Sequence, residues 1–186
     1  EDVHHRHPLR RALPRLMLQS GTSRLVLRGL GAGDVERYAR AVLGPAFNRR
    51  LAESLWPRTG GNPFFVTELV EMIRAEGRDR VPESIREMIH ESVDRLSEQA
   101  QGTLRAGAVI GQEFGLAILQ TVTGRRPDDL VSDLAAAIDR RLLVRDTPAR
   151  FSFRHLLIRE VLYEATPALE RIRLHRRTAE ALEALG

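Results

Sequence analysis

Lysine is missing from this sequence, and all 29 basic residues are arginine. A P-loop needs a lysine that reaches the β- and γ-phosphates of a nucleotide, so the chain holds no such loop. Lysine nucleophiles and Schiff-base chemistry are excluded with it. Cysteine is missing too, which removes disulfides and thiolate metal sites. Aromatic residues make up 5%, so the cores must be built mainly from Leu, Ile, Val and Ala. No apolar run approaches the roughly 20 residues of a membrane helix. The polar, His- and Arg-rich start has no signal-peptide pattern, so no membrane partner and a cytoplasmic location are the default expectations.

What is present is a charged, regularly patterned chain of 186 residues, 42% hydrophobic and 29% charged. That suits one globular domain or two small ones. The net charge of +4 is mild; it permits nucleic-acid contact without arguing for it. GC-rich codon usage accounts for the arginine bias equally well.

The first residues carry His4, His5 and His7, which read as a frayed end or, with less support, as metal ligands. Apolar residues at helical spacing predict a helix over 8–18, limited by Pro14. Alternation of Leu25 and Leu27 predicts a short strand over 24–28. A lone helix and strand look like the tail of an α/β unit, so the sequence is expected to begin inside a domain.

Residues 29–33 read as a linker. A helix is expected over 34–43, with Val35, Tyr38, Ala39 and Val42 on one stripe. A second is expected over 46–58, with Phe47, Leu51, Leu55 and Trp56 inward. Glycines 60 and 61 stop it. Asn62 is a good N-cap and Pro63 a good first helical residue for a third helix to 76, with Phe65, Leu69, Met72 and Ile73 inward.

Pro82 opens a fourth helix, with Ile85, Ile89, Val93 and Leu96 at helical spacing. Ser97 caps a fifth, carrying Leu104, Ala108 and Val109 to a stop at Gly111. A short helix over 114–122 and one over 127–138, burying Leu130, Leu134, Ala137 and Ile138, follow. Then the period changes. Residues 142–144 and 151–153 read as strands around a loop over 146–150. Three helices followed by a hairpin is the order of a winged helix. A helix over 154–165 turns Leu157, Val161 and Leu162 inward. The last helix, 168–185, shows Leu169, Ile172, His175, Ala179 and Leu182 on one face, with nothing after it to bury them.

Four groups invite a chemical reading. Gly61, Asn62 and Pro63 are helix punctuation or, alternatively, an apolar face and helix N–H groups offered to a ligand. His155 is a half-buried turn residue or an imidazole donor aimed at a phosphate oxygen, with Arg154 and Arg159 adding positive potential. Arg140, Arg141, Arg145 and Arg150 surround the hairpin, where they are a solvated surface or phosphate contacts to DNA. Glu87, His90, Glu91 and Asp94 crowd one helix, as a charged outer face or a metal site. No catalytic residue can be nominated.

Three stretches together resemble a known family. They are Thr59-Gly60-Gly61-Asn62-Pro63-Phe64-Phe65-Val66-Thr67-Glu68-Leu69, then Val81-Pro82-Glu83-Ser84-Ile85-Arg86, then Arg150-Phe151-Ser152-Phe153-Arg154-His155-Leu156-Leu157-Ile158-Arg159-Glu160-Val161-Leu162-Tyr163. In this order they are similar to the signal-transduction ATPases with numerous domains (STAND). The branch they resemble is the large ATP-binding LuxR-type transcriptional regulators of bacteria and the related cyclase-fused ATPases.

The resemblance implies a mainly α chain. A helical lid bundle over 31–80 would be followed by a winged-helix domain over 81–166 with its small β-hairpin. Residues 1–30, with their one strand, would be the end of an α/β ATPase core, and 167–186 the start of a helical repeat region. It implies that the glycine-any-proline motif of the lid is Gly61, Asn62 and Pro63, with the proline packing on adenine. It further implies that His155, beside Arg154, contacts the β-phosphate of bound ADP and holds a closed state. ATP or ADP, with Mg in the parent protein, would bind mainly outside this sequence. The implied partners are the ATPase core of the same polypeptide and an inducer or protein acting through downstream repeats, with DNA met only by a separate domain. The alternatives are a stand-alone DNA-binding winged-helix protein and a helical protein-interaction scaffold.

Overall fold

Glycine stops and side-chain caps cut the chain into the helices that the spacing predicts. The computed structural model describes residues 15, 25, 27–77 and 79–185. Helix α1 spans Ala32–Leu43, where Asp34 reaches back to the Gly31 N–H. A single 3-10 turn, Gly44–Ala46, leads to α2, Arg49–Thr59. Asn48 caps α2 by accepting from the Leu51 N–H at 3.1 Å. Helix α3 spans Pro63–Glu76 behind its Asn62 cap. Val35, Ala39, Leu43, Leu51, Leu55, Val66, Leu69, Val70 and Ile73 close one buried cluster. Trp56 does not join it. That ring lies at the surface, 42% exposed, because its N–H donates to the Leu30 carbonyl at 3.0 Å.

A second, larger cluster begins at Val81. Helix α4 spans Glu83–Asp94 and buries Ile85, Ile89 and Val93. Helix α5 spans Glu98–Ile110 under the Ser97 cap, whose hydroxyl accepts from the Ala100 N–H. Residues 113–115 then depart from the expected helix. They form a strand, β1 (Glu113–Gly115), and helix α6 is confined to Leu116–Thr123. Phe114 pairs with Phe151 in the ladder and its ring stacks on that ring at 6.2 Å. Buried aromatic pairing across strands outweighs the local helical spacing. Helix α7 is Pro127–Asp139. Strands β2 (Leu143–Thr147) and β3 (Arg150–Phe153) complete an antiparallel sheet in the order β1-β3-β2. The order helix, strand, helix, helix, hairpin is that of a winged helix, set in a mainly α chain.

Helix α8, Leu156–Ala165, buries Leu157, Ile158, Val161 and Leu162. Helix α9, Ala168–Leu185, packs on α5 and α6. Its inward face carries Leu174, Thr178 and Ala181. The expected stripe lies outward, with Leu169, Ile172 and Leu182 all more than half exposed. Thr178 and Ala181 are small enough to let α9 approach its neighbours closely.

Of the expected N-terminal strand, Leu25, Leu27 and Arg28 are described, and these three are not in a strand. The remainder of that strand, the helix over 8–18 and His4, His5 and His7 lie outside the described residues. No helix among the described residues is long and apolar enough to cross a membrane.

Polar contacts join the two clusters. Arg58 on α2 is 9% exposed. It donates to both carboxylate oxygens of Glu160 on α8, at 3.0 and 2.9 Å, and also to Asp79. Burial works against the Arg58 cation; hydrogen bonds and charge from Glu160 and Asp79 outweigh it and raise its pKa. Ser84 on α4 donates to Glu68 on α3.

Candidate functional site

The turn between α2 and α3 is shaped by two consecutive left-handed glycines. Gly60 has φ 58° and Gly61 φ 71°, a region that side chains with a Cβ disfavour. Space forbids a Cβ as well. On Gly61 it would fall 2.0 Å from the Leu30 carbonyl oxygen, and on Gly60 2.6 Å from His155 Nδ1. The linker is fastened there, since the Leu30 N–H donates to the Gly61 carbonyl at 2.7 Å. Asn62 Oδ1 accepts from the Phe64 N–H at 3.1 Å, so that first-turn donor already has a partner. Pro63 follows, exposed.

His155 is the extended residue before α8, with φ −139° and ψ 141°. Its ring meets the Phe65 ring edge-on, centroids 5.0 Å apart at 88°. Nδ1 is buried and has no hydrogen-bond partner. The nitrogen available to a ligand is therefore Nε2. Burial first, and then the charge of Arg154, pull the His155 pKa from 6.5 to about 4. At neutral pH the imidazole is uncharged, and it meets an anion as a hydrogen-bond donor rather than as a cation.

These stretches, distant in sequence, line one cavity of about 570 Å³. Gly60, Asn62, Pro63 and Phe65 from the α2–α3 turn line it together with Arg154, His155 and Ile158. Met88, Ile89 and Ser92 of α4, together with Arg141, Leu142 and Arg28, complete the wall. The expected site residues Asn62, Pro63, Arg154 and His155 thus share a cavity. Gly61 does not line it; that residue is buried beneath, holding Leu30. Arg159 points elsewhere, donating to the Ala108 carbonyl at 2.9 Å and lying over the Tyr163 ring.

Arg28, Met88 and Ser92 were not legible as site residues, because only the packing of α4 and the linker brings them to Pro63; Arg141, nominated as a hairpin arginine, lines this cavity instead. Asp128, Asp129 and Asp139 lie exposed on α7, the helix a DNA-reading winged helix places in the groove. Carboxylates there repel phosphates. Among the described residues no group of three His, Asp or Glu is placed to hold a metal ion, the set on α4 included. No protein-family model and no curated protein matches the chain.

Proposed function

We propose that the chain is the lid and winged-helix part of an ATP- and ADP-dependent switch in a bacterial signal-transduction ATPase, of the LuxR-type transcriptional-regulator kind. One observation carries the reading: Asn62 and Pro63 at the start of one helix and Arg154 and His155 at the start of another, far apart in sequence, line a single cavity. Its volume lies within the roughly 300–1,000 Å³ of small-molecule sites.

The residues present fit a nucleotide. Pro63, with Phe65, Met88 and Ile89, offers apolar surface to a base. Arg28, Arg141 and Arg154 offer positive charge to phosphates, and the wall contains no carboxylate among the described residues. The neutral His155 donates from Nε2 without any change of charge. A bound nucleotide supplies the negative charge that these groups share. With no lysine in the chain, the phosphate-loop half and its Mg belong to an ATPase core elsewhere in the same polypeptide. The switch acts in the cytoplasm, where ATP and ADP are held. An inducer or protein partner acts through helical repeats beyond α9, and DNA is read by a separate domain.

A ligand that favours one arrangement of lid and winged helix shifts their balance only by its difference in affinity for the two. ADP touching His155 supports the closed arrangement in this way. Two measurements test the reading. The coding sequence upstream of Glu1 should encode Gly-x-x-x-x-Gly-Lys-[Ser/Thr] after a strand; a start codon beside Glu1 refutes the reading. In that longer polypeptide, His155→Ala should speed ADP release, and an unchanged release rate removes His155 from the site.

A further inference from the structure

The linker ahead of α1 is tied to the smaller cluster at one residue. Both backbone groups of Leu30 are engaged there. Its N–H donates to the Gly61 carbonyl at 2.7 Å, and its carbonyl accepts from the Trp56 indole N–H at 3.0 Å. Trp56 holds the turn as well, because its own carbonyl accepts from the Gly60 N–H at 2.8 Å. From inside, the buried Thr59 hydroxyl accepts from the Gly61 N–H at 3.3 Å. Gly29 lies so close that a Cβ there would fall 2.9 Å from the Gly60 carbonyl oxygen and 3.1 Å from that of Gly61. Ahead of Gly29 the chain has little hold. Leu27 is 85% exposed, Arg28 is exposed too, and both line the cavity together with Gly29.

This part of the cavity wall is therefore held by two hydrogen bonds and the partly buried Leu30 side chain. A neutral hydrogen bond shifts an equilibrium about three- to tenfold, so such a wall opens far more readily than the helices beneath it unfold. An indole suits the position, because it is a large ring that carries a donor. Phenylalanine would leave the Leu30 carbonyl without its partner.

We infer that residues 27–30 are a latch seated by Trp56, a positioning residue, and that closure of the latch and occupancy of the cavity stabilise each other. This rests on the reading of the cavity as a nucleotide site and adds to it a route of regulation. The coupling is reciprocal. A ligand that touches the closed wall holds the linker down, and a pull on the chain ahead of Leu27 loosens the ligand.

Hydrogen exchange in the 186-residue chain, followed by NMR, tests the latch. Trp56 is the single tryptophan, so its indole N–H is one resonance; the Leu30 amide is the second probe. The amides of Leu69 and Val70, both buried in α3, report unfolding of the whole cluster. Trp56→Phe should speed Leu30 exchange about three- to tenfold, the worth of one neutral hydrogen bond, and change Leu69 and Val70 by less. Gly29→Ala, which leaves the indole in place, should speed exchange at both Leu30 and the indole. ADP at about ten times its dissociation constant should slow both probes about tenfold and shift the His155 resonances.

Leu30 exchange that only follows Leu69 and Val70 in both variants overturns the latch, because the linker then opens only with the cluster. ADP that shifts His155 and leaves Leu30 and the indole unprotected overturns the coupling and keeps the nucleotide reading. ADP that shifts neither His155 nor Leu30 up to about 10 mM overturns the coupling and the nucleotide reading together.

Discussion

At the scale of single residues, His155 is placed to report pH. Its folded pKa of about 4 lies below the ordinary 6.5. Between those values the unfolded chain takes up a proton that the folded chain refuses. The stability linked to His155 is therefore fully present above about pH 6.5 and is lost as pH falls toward 4. We expect about 1 kcal/mol of loss between pH 7 and 5, allowing for the half-open position of the ring. Arg154 is the charged neighbour that deepens the effect; Phe65 and Gly60 shut out water on the other side. Urea unfolding at the two pH values, for the parent chain and His155→Phe, isolates the contribution. An equal slope in both would assign it to other groups.

The two glycines beside it should differ in tolerance. A methyl at Gly61 meets backbone, and the Leu30 carbonyl cannot withdraw without breaking its bond to Trp56. A methyl at Gly60 meets a ring edge that can shift. Each pays the left-handed penalty of about 1–2 kcal/mol. We expect Gly61→Ala to cost clearly more than Gly60→Ala in denaturant midpoint. The reverse order would mean that the linker yields more easily than the imidazole.

At the scale of elements, most helices were legible because their ends are marked locally. Ser97, Pro127, Gly77 and Gly124 are caps and stops whose chemistry acts within one turn. The misses share a cause, which is dependence on partners distant in sequence. Strand β1 is three residues long, too short for alternation to show, and exists by pairing with β3. Helix α9 carries two candidate stripes, and only its neighbours decide that Leu174 and Ala181 turn inward. Within the site, the motif residues Pro63 and His155 could be nominated by type and position. Arg141 could be nominated only as a hairpin arginine, because nothing in its spacing reveals a left-handed backbone or its place beside Pro63.

Helix α2 is tied to α8 by the Arg58–Glu160 pair, which was equally invisible in the sequence. Removing one partner of a buried ion pair strands the other, at about 3–5 kcal/mol. Arg58→Ala should therefore be strongly destabilising, and Arg58→Ala with Glu160→Ala less so than the sum of the single changes. A double-mutant cycle measures the coupling; strictly additive losses would show that the pair does not hold the helices together.

At the scale of the whole molecule, the cavity exists only while the two clusters stay docked. Ligand binding and docking are then linked, and any anion that bridges Arg154 and the Pro63 turn should raise the melting temperature with concentration. Phe65 makes that docking an internal matter of the core. It sits on α3, whose Val66, Leu69, Val70 and Ile73 fill the smaller cluster, yet its own ring belongs to the larger one. Phe65→Ala should cost about 3–5 kcal/mol and split a single calorimetric transition into two. A single transition that merely shifts downward would mean that the ion pairs suffice as the joint.

Helix α3 is thus a shared wall between two rooms, and neither can be remodelled without the other. To part the two clusters, a ring must be drawn from a packed interior into water, at about 2–3 kcal/mol. That single side chain sets a threshold. Under the switch proposed above, a ligand must differ in its binding energy for the two arrangements by more than the seat of one phenyl ring to turn the molecule over.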